Sequence, residues 1–347
     1  MGPRNHGGSL TMADIGRAAR VSASTVSRVL NDASTAVPIA QATRERVIGA
    51  AHELGYRPNP HARSLRGAPT MLLGVVVRDF SDPFFAVAVE TFALEAMTHG
   101  YSVVLGHAGG RTDQGAALPA IFDARRTDAV VLLGDMQDQS RLLADLRDSL
   151  VPVVALWQGV SPIEFPTVQV DDAAGIVLAV DHLRALGHER IGCIGALLPG
   201  DNRRRDQSYL DQMIDAGLQV PNGYLQRVDN SFGGGEVGLA SLVELGDPPT
   251  AIVATTDLVA VGAMHAAQRL RYRVPDDLSV VGFDDLPMAA YTTPTLTTIR
   301  MPVTEMVAEA VGLAIGFAQH RDWPRRPEVR VFQPSLLHRE SSARRHA

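Results

Sequence analysis

The stretch TMADIGRAARVSASTVSRVLN, residues 11–31, decides how the head of this 347-residue chain is read. Met12, Ile15, Ala18 and Ala19 recur at helical spacing, and after a break Val26, Val29 and Leu30 do so again. The break falls near Arg20 and Val21, and Ser22 is placed to cap a second helix over residues 23–30. Two short helices around a tight turn describe a helix-turn-helix, whose second helix lies in the major groove of DNA and reaches base edges with its N-terminal side chains. Ser22, Ala23, Ser24, Thr25, Ser27, Arg28 and Asn31 are the candidates for that contact. Spacing alone leaves an ordinary three-helix bundle open, because Val47, Ile48, Ala51 and Leu54 supply a third helical segment that ends at Gly55.

Charge separates this head from the rest. Residues 1–67 carry nine arginines against four carboxylates, a charge of +5, and the remainder carries 23 against 34, or −11, for the net −6 of the whole. A basic head on an acidic body is the asymmetry of a chain that meets phosphate only with its head, although a cluster of solvated arginines has the same charge. Between the two, RPNPHARSLRGAPT (residues 57–70) has three prolines, three arginines and Gly67 with little apolar content, and reads as a linker. All 32 basic residues are arginine, which excludes a Walker-A phosphate loop and Schiff-base lysine chemistry. The single cysteine, Cys193, excludes an internal disulfide or a multi-cysteine zinc site and reads as inert core. No apolar run reaches the roughly 18 residues of a membrane span, and the polar N-terminus lacks a secretory signal core, so a cytoplasmic location is expected.

Beyond the linker, short apolar runs (LLGVVV 72–77, AVVLL 129–133, VPVVAL 151–156, RIGCI 190–194, AIVAT 251–255, LSVVGF 278–283) alternate with amphipathic segments. That rhythm implies doubly wound parallel sheet, and about 280 residues of it imply two α/β lobes. Ligands of such lobes bind beyond the carboxyl ends of the strands, so the residues following each run are the candidate contacts.

Ordered motifs then make a resemblance specific. VSASTVSRVLN (21–31), TRERV (43–47), LGYRPN (54–59) and ARSL (62–65) in the head resemble the lactose/galactose-repressor family of bacterial regulators. In the body SDPFF (81–85), HLRALGHERIG (182–192), TTDLVAVGAM (255–264), VPDDLSVVGFDD (274–285) and PTLTTIRMP (294–302) carry it on. The resemblance implies an all-α helix-turn-helix domain (10–58), a hinge helix (59–70) and a periplasmic-binding-protein-like body (71–341). Lobe one of that body is expected at about 71–170 and 301–326, and lobe two at about 171–300 and 327–341. It implies that the hinge folds only when two chains sit on an operator, with Asn59, Ala62, Arg63 and Leu65 at the DNA and Leu65 wedged into the minor groove. A segment this short is too short to be helical alone, and such a wedge kinks DNA.

By the same resemblance the effector contacts are Arg78, Asp82, Phe84, Trp157, Arg205, Phe232, Asp257 and Asp284. Arginine and aspartate with an aromatic face suit a sugar, with a purine or nucleoside as the alternative ligand and a phosphorylated sugar also open given Arg203, Arg204 and Arg205. Asp257 is equally an N-cap, Asp284 a turn residue and Trp157 core, and Arg204 competes with Arg205 for its role. The implied protein is a homodimeric repressor on double-stranded operator DNA. Its dimer faces lie near residues 84–99 and 257–269, and the tail has no leucine heptads. Arg20 departs from the glycine that the family often has in the turn, and a left-handed residue there costs roughly 1–2 kcal/mol.

Other classes fit less well. Gly233, Gly235 and Gly238 satisfy G-x-G-x-x-G, but the preceding QRVDNSF is too polar for the strand such a dinucleotide loop requires, and no cofactor is expected. There is no G-x-S-x-G elbow or H-E-x-x-H helix to support an enzyme. His182 and His188 flank a helix end and read as turn or surface residues. A solute-binding protein fits the lobes but not the basic head.

Overall fold

The computed structural model describes residues 10–30, 39–56, 69–108, 126–136, 139–157, 164–197, 201–320 and 327–345. The chain divides into two units, Met1–Thr70 and Met71–Ala347. In the first, α1 (Met12–Ala19), α2 (Ala23–Leu30) and α3 (Gln41–Glu53) enclose a small core of Ile15, Ala19, Val26, Val29, Val47 and Ala51. Asp14 closes the start of α1 by accepting from the Thr11 backbone N–H (2.9 Å) and hydroxyl (2.6 Å). Arg20 ends α1 in the left-handed region at φ 55°, ψ 47°, so the turn adopts the conformation that glycine usually supplies. Ser22 Oγ accepts from the Thr25 N–H at 3.1 Å and caps α2.

The second unit holds two six-stranded sheets. Lobe one contains β1 (Leu72–Val77), α4 (Pro83–Thr98), β2 (Ser102–His107), β3 (Ala129–Leu133), α5 (Ser140–Arg147), β4 (Val153–Leu156) and β5 (Thr167–Val170). The chain then crosses into lobe two, with α6 (Asp172–Ala185), β6 (Ile191–Ala196), α7 (Asp201–Asp215), β7 (Leu225–Val228), α8 (Phe232–Val243), β8 (Ala251–Ala254), α9 (Asp257–Arg269), β9 (Ser279–Asp284) and β10 (Thr297–Arg300). It returns to lobe one for α10 (Val303–His320) and β11 (Val329–Phe332), and crosses again to β12 (Ser335–Leu337). The sheet orders are β11-β5-β4-β3-β1-β2 and β12-β10-β9-β8-β6-β7, parallel except where β12 meets β10. The central strands are buried on both faces, which is why they read as continuous apolar runs rather than alternating ones.

One boundary differs from the expected lobe two at about 327–341: Val329–Phe332 pairs in parallel with Thr167–Val170 and completes the sheet of lobe one. As an edge strand with Val329 and Val331 exposed, it lacks the apolar continuity that marks the inner strands.

Gly235, the middle glycine of the G-x-G-x-x-G pattern, has a packing role. A Cβ on Gly235 of α8 would lie 2.1 Å from the Val259 carbonyl oxygen, and one on Gly262 of α9 would lie 2.0 Å from that of Phe232. The two helices therefore touch backbone to backbone. Gly235→Ala is expected to destabilise lobe two by about 3 kcal/mol, the upper end for overpacking, because neither backbone can yield. An unchanged urea midpoint would contradict this.

His188 is not a surface residue. It is 4% exposed, with Nδ1 2.9 Å from Thr250 Oγ1 and Nε2 3.1 Å from both Ser279 Oγ and the Ala343 carbonyl. His182 Nε2 lies 2.9 Å from Ser342 Oγ, so both rings fasten the C-terminal segment to lobe two. Burial, reinforced by His338 and His188 nearby, holds His182 down to about 4. Cys193 is fully buried in β6, and burial pushes its thiol up.

Candidate functional site

The loop after β1 is shaped by its own side chains. Asp79 Oδ1 accepts from the Ser81 N–H (2.8 Å) and hydroxyl (2.7 Å), and Asp82 Oδ1 accepts from the Phe84 N–H (2.9 Å) to cap α4, with Pro83 in its first turn. On the same lobe Trp157 (φ 60°) follows β4, and across the crevice β9 ends on Asp284 (φ 120°), with Asp285 (φ 55°) next. Non-glycine residues held at positive φ cost of order 1–3 kcal/mol each and cluster where backbone is shaped for function. Here all three stand at strand ends, and Trp157 and Asp284 line one cavity of about 60 Å³ between the lobes.

Six of the eight effector candidates line that cavity: Arg78, Asp82, Phe84, Trp157, Arg205 and Asp284. Arg205 is its electrostatic centre. Only 4% exposed, it donates from Nε to Asp172 Oδ1 (2.7 Å) and from Nη1 to the Thr255 carbonyl (2.7 Å) and Asp284 Oδ1 (3.4 Å), over the Phe283 ring at 3.7 Å. Arg205 rather than Arg204 is thus the buried arginine on the wall. Burial pushes Asp284 well above the carboxylate range, and Asp172 and Asp82 upward, with Arg205 offsetting only part. The aromatic faces meet edge to face, Phe84 on Trp157 at 4.8 Å and Phe84 on Phe85 at 5.5 Å.

Two candidates lie elsewhere. Asp257 is fully buried beneath α9, where it accepts from Thr298 Oγ1 (2.5 Å) and the Leu286 N–H (2.7 Å) and joins α9 to β10 and the turn after β9. Phe232 opens α8 at 45% exposure and does not line the cavity. In their places stand Thr256 and Asn230, one residue before Asp257 and two before Phe232. Asp135 also lines the wall, and Asp172 holds Arg205 from behind. The strand-end rule, applied to the apolar runs that form β3 and β8, points to the positions of Asp135 and Thr256. Asp172 and Asn230 stand equally two residues past β5 and β7, but those strands (TVQV and LQRV) are too short and polar to read as strands in the sequence.

In the head, Ser22, Ala23 and Ser24 are exposed at the start of α2, and Thr25, Ser27 and Arg28 are half-buried. The Ser22 hydroxyl lies 2.8 Å from those of Ser24 and Thr25. Asn31, Asn59, Ala62, Arg63 and Leu65 lie outside the described residues. Among the described residues no helix is long and apolar enough to cross a membrane, and no group of three or more His, Cys, Asp or Glu could hold a metal ion.

A helix-turn-helix unit joined to a body of two lobes that meet over a buried arginine defines a ligand-responsive, DNA-binding transcriptional regulator. Residues 11–59 match the profile of bacterial regulatory proteins of the lacI family, and residues 180–342 match that of a periplasmic binding protein-like domain. The HTH-type transcriptional repressor CytR of Escherichia coli (strain K12) is 33% identical over 308 residues, which cover 88% of this chain and 89% of CytR. The HTH-type transcriptional regulator GalR of the same strain is 32% identical over 333 residues, 95% of each chain. The lac repressor dimer bound to operator and the anti-inducer ONPF aligns at a TM-score of 0.85 and 27% identity, over 97% of this chain and 100% of that one. A complex of the transcriptional regulator CelR with cellobiose aligns at 0.70 and 26% identity, over 96% and 99%. The chain belongs to the lacI family of bacterial regulatory proteins.

Proposed function

We propose that this regulator acts as a homodimeric repressor on a pseudo-palindromic operator and that a neutral, hydroxyl-rich small molecule, a sugar, enters between the lobes and sets its affinity for DNA. The observation that carries the ligand class is the charge of the cleft. Arg205 stands against two buried carboxyls, Asp172 and Asp284, with the half-buried Asp82 on the same wall. A phosphate or carboxylate brought into that wall meets further acceptors, whereas hydroxyls donate to them. Phe84 and Trp157 supply the apolar face of a ring. The relatives point the same way: CytR is named a repressor, one lac repressor structure holds operator DNA and another relative holds cellobiose. The flat aromatic faces would also take a base, so nucleosides are the second reading.

The test is a thermal-shift series of the full chain against sugars, sugar phosphates, nucleobases and nucleosides. A ligand at about 100 times its dissociation constant adds about 2.7 kcal/mol to stability. A saturable shift with neutral sugars and none with their phosphates is the expected result. A shift confined to nucleosides overturns the sugar assignment, and a shift confined to phosphates overturns the charge argument.

A further inference from the structure

We infer that Asp82, Asn230 and Thr256 form a latch between the lobes that sets how readily the cleft closes and ties cleft occupancy to helices α4 and α9. The inference rests on the reading of the cleft as an effector site, and it adds Asn230 as a positioning residue.

Asp82 follows β1 in lobe one, whereas Asn230 and Thr256 follow β7 and β8 in lobe two. Asn230 Nδ2 donates to Asp82 Oδ2 at 2.9 Å, and Thr256 Oγ1 donates to Asn230 Oδ1 at 2.9 Å. The amide is thereby oriented: a carboxylate can only accept, so the NH₂ faces Asp82 and the amide oxygen faces the threonine hydroxyl. Both ends of this chain of bonds have a second attachment. The other oxygen of Asp82 caps α4 through the Phe84 N–H, and Thr256 Oγ1 accepts from the Val259 N–H at 3.3 Å to cap α9. One asparagine therefore joins the N-terminal caps of two helices in different lobes.

All three side chains line the cavity, so a hydroxyl-bearing molecule entering it meets the same donors and acceptors that hold the lobes together. The bond joins two half-buried side chains, a carboxyl oxygen and an amide N–H, where water competes for it less than at an open surface. Closing the lobes makes the link and opening them breaks it, and each change alters a cap of α4 and of α9.

Asn230→Asp tests this without altering size, because it sets a second carboxylate against Asp82 in place of the amide. In the ligand-free full chain, amide hydrogen exchange in the first turns of α4 and α9 is expected to quicken about tenfold or more, and small-angle scattering is expected to report a larger radius for the opened body. Asn230→Ala, which removes the link without adding repulsion, is expected to fall between wild type and N230D. The swap D82N/N230D again sets an amide opposite a carboxylate, leaves Thr256 its acceptor, and keeps a side chain that caps α4 as well as aspartate does. It is expected to restore both readouts. Unchanged exchange and radius in N230D, or a swap no better than N230D alone, would overturn the latch. These readouts need no ligand, so they stand apart from the thermal-shift series; in wild type a series without any shift would sink the effector reading and leave the latch tested on its own. Where a sugar does bind, N230D is expected to weaken it by the factor lost from the closed population, and the swap to recover that factor.

Discussion

Arg205→Ala is expected to cost about 3–5 kcal/mol of folding stability and to abolish the effector response, the largest single effect in the body of the protein. The guanidinium is almost fully buried between Asp172 and Asp284 and also bonds the Thr255 carbonyl and covers Phe283. Removing it strands two carboxyls in a low-dielectric wall, and stranding a charge costs far more than the pair gains over an apolar substitute. The loss should be partly recovered in R205A/D172N, which removes the carboxylate that Arg205 Nε contacts at 2.7 Å. Urea denaturation of the three proteins measures this. A loss below about 1 kcal/mol in R205A would mean that Asp172 and Asp284 are already neutral and that Arg205 is not the electrostatic centre of the cleft.

Asp257→Asn is expected to stabilise the protein at pH 8 and to converge on wild type near pH 4. Burial raises Asp257 to about 7, above its ordinary 3.8, although the bonds from Thr298 and Leu286 pull the other way. The folded state therefore holds a proton that the unfolded state lacks between about pH 4 and pH 7. Stability contributed by this group is present below that window and is lost as pH rises through it. At about 1.4 kcal/mol per unit, the cost above pH 7 is on the order of 4 kcal/mol. The asparagine amide can still accept from the Leu286 N–H and donate to Thr298 Oγ1, so the packing survives the substitution. His182 works in the opposite sense. Held at about 4 against its ordinary 6.5, it takes stability away as pH falls from 6.5 toward 4, which masks the Asp257 slope in wild type. The difference between D257N and wild type isolates the carboxyl. Stability curves that run parallel from pH 4 to pH 8 would refute the assignment.

The parts of this molecule legible in its sequence are those where one local signal suffices. Ser22 as a cap, the turn at Arg20 and the inner strands followed from capping chemistry and apolar continuity, and the structure has each of them. Where two neighbours compete for one role, the sequence was silent, because a helix start can aim either residue inward. Thr256 and Asp257 stand side by side at the end of β8; the threonine caps α9 and faces the cavity, and the aspartate turns beneath the helix. Phe232 is the aromatic of this segment, yet it is the polar Asn230 that faces Asp82 across the cleft. Gly233, Gly235 and Gly238 match a phosphate-loop pattern, yet in the fold Gly235 meets the backbone of α9 and Gly238 packs on Ile194 of β6. Residues joined only by tertiary structure, such as Asp172 with Arg205 or His188 with Ala343, carried no local mark at all.

The measurement that bears most directly on the central claim is operator affinity, followed by fluorescence anisotropy at fixed salt, with and without a saturating cleft ligand, in wild type and in a folded Arg205 variant such as R205A/D172N. The account predicts that the ligand changes operator affinity in wild type by at least about fivefold, the lower range of allosteric coupling, and that the variant binds operator with no ligand effect. A ligand that occupies the cleft of wild type and leaves operator affinity unchanged would contradict it.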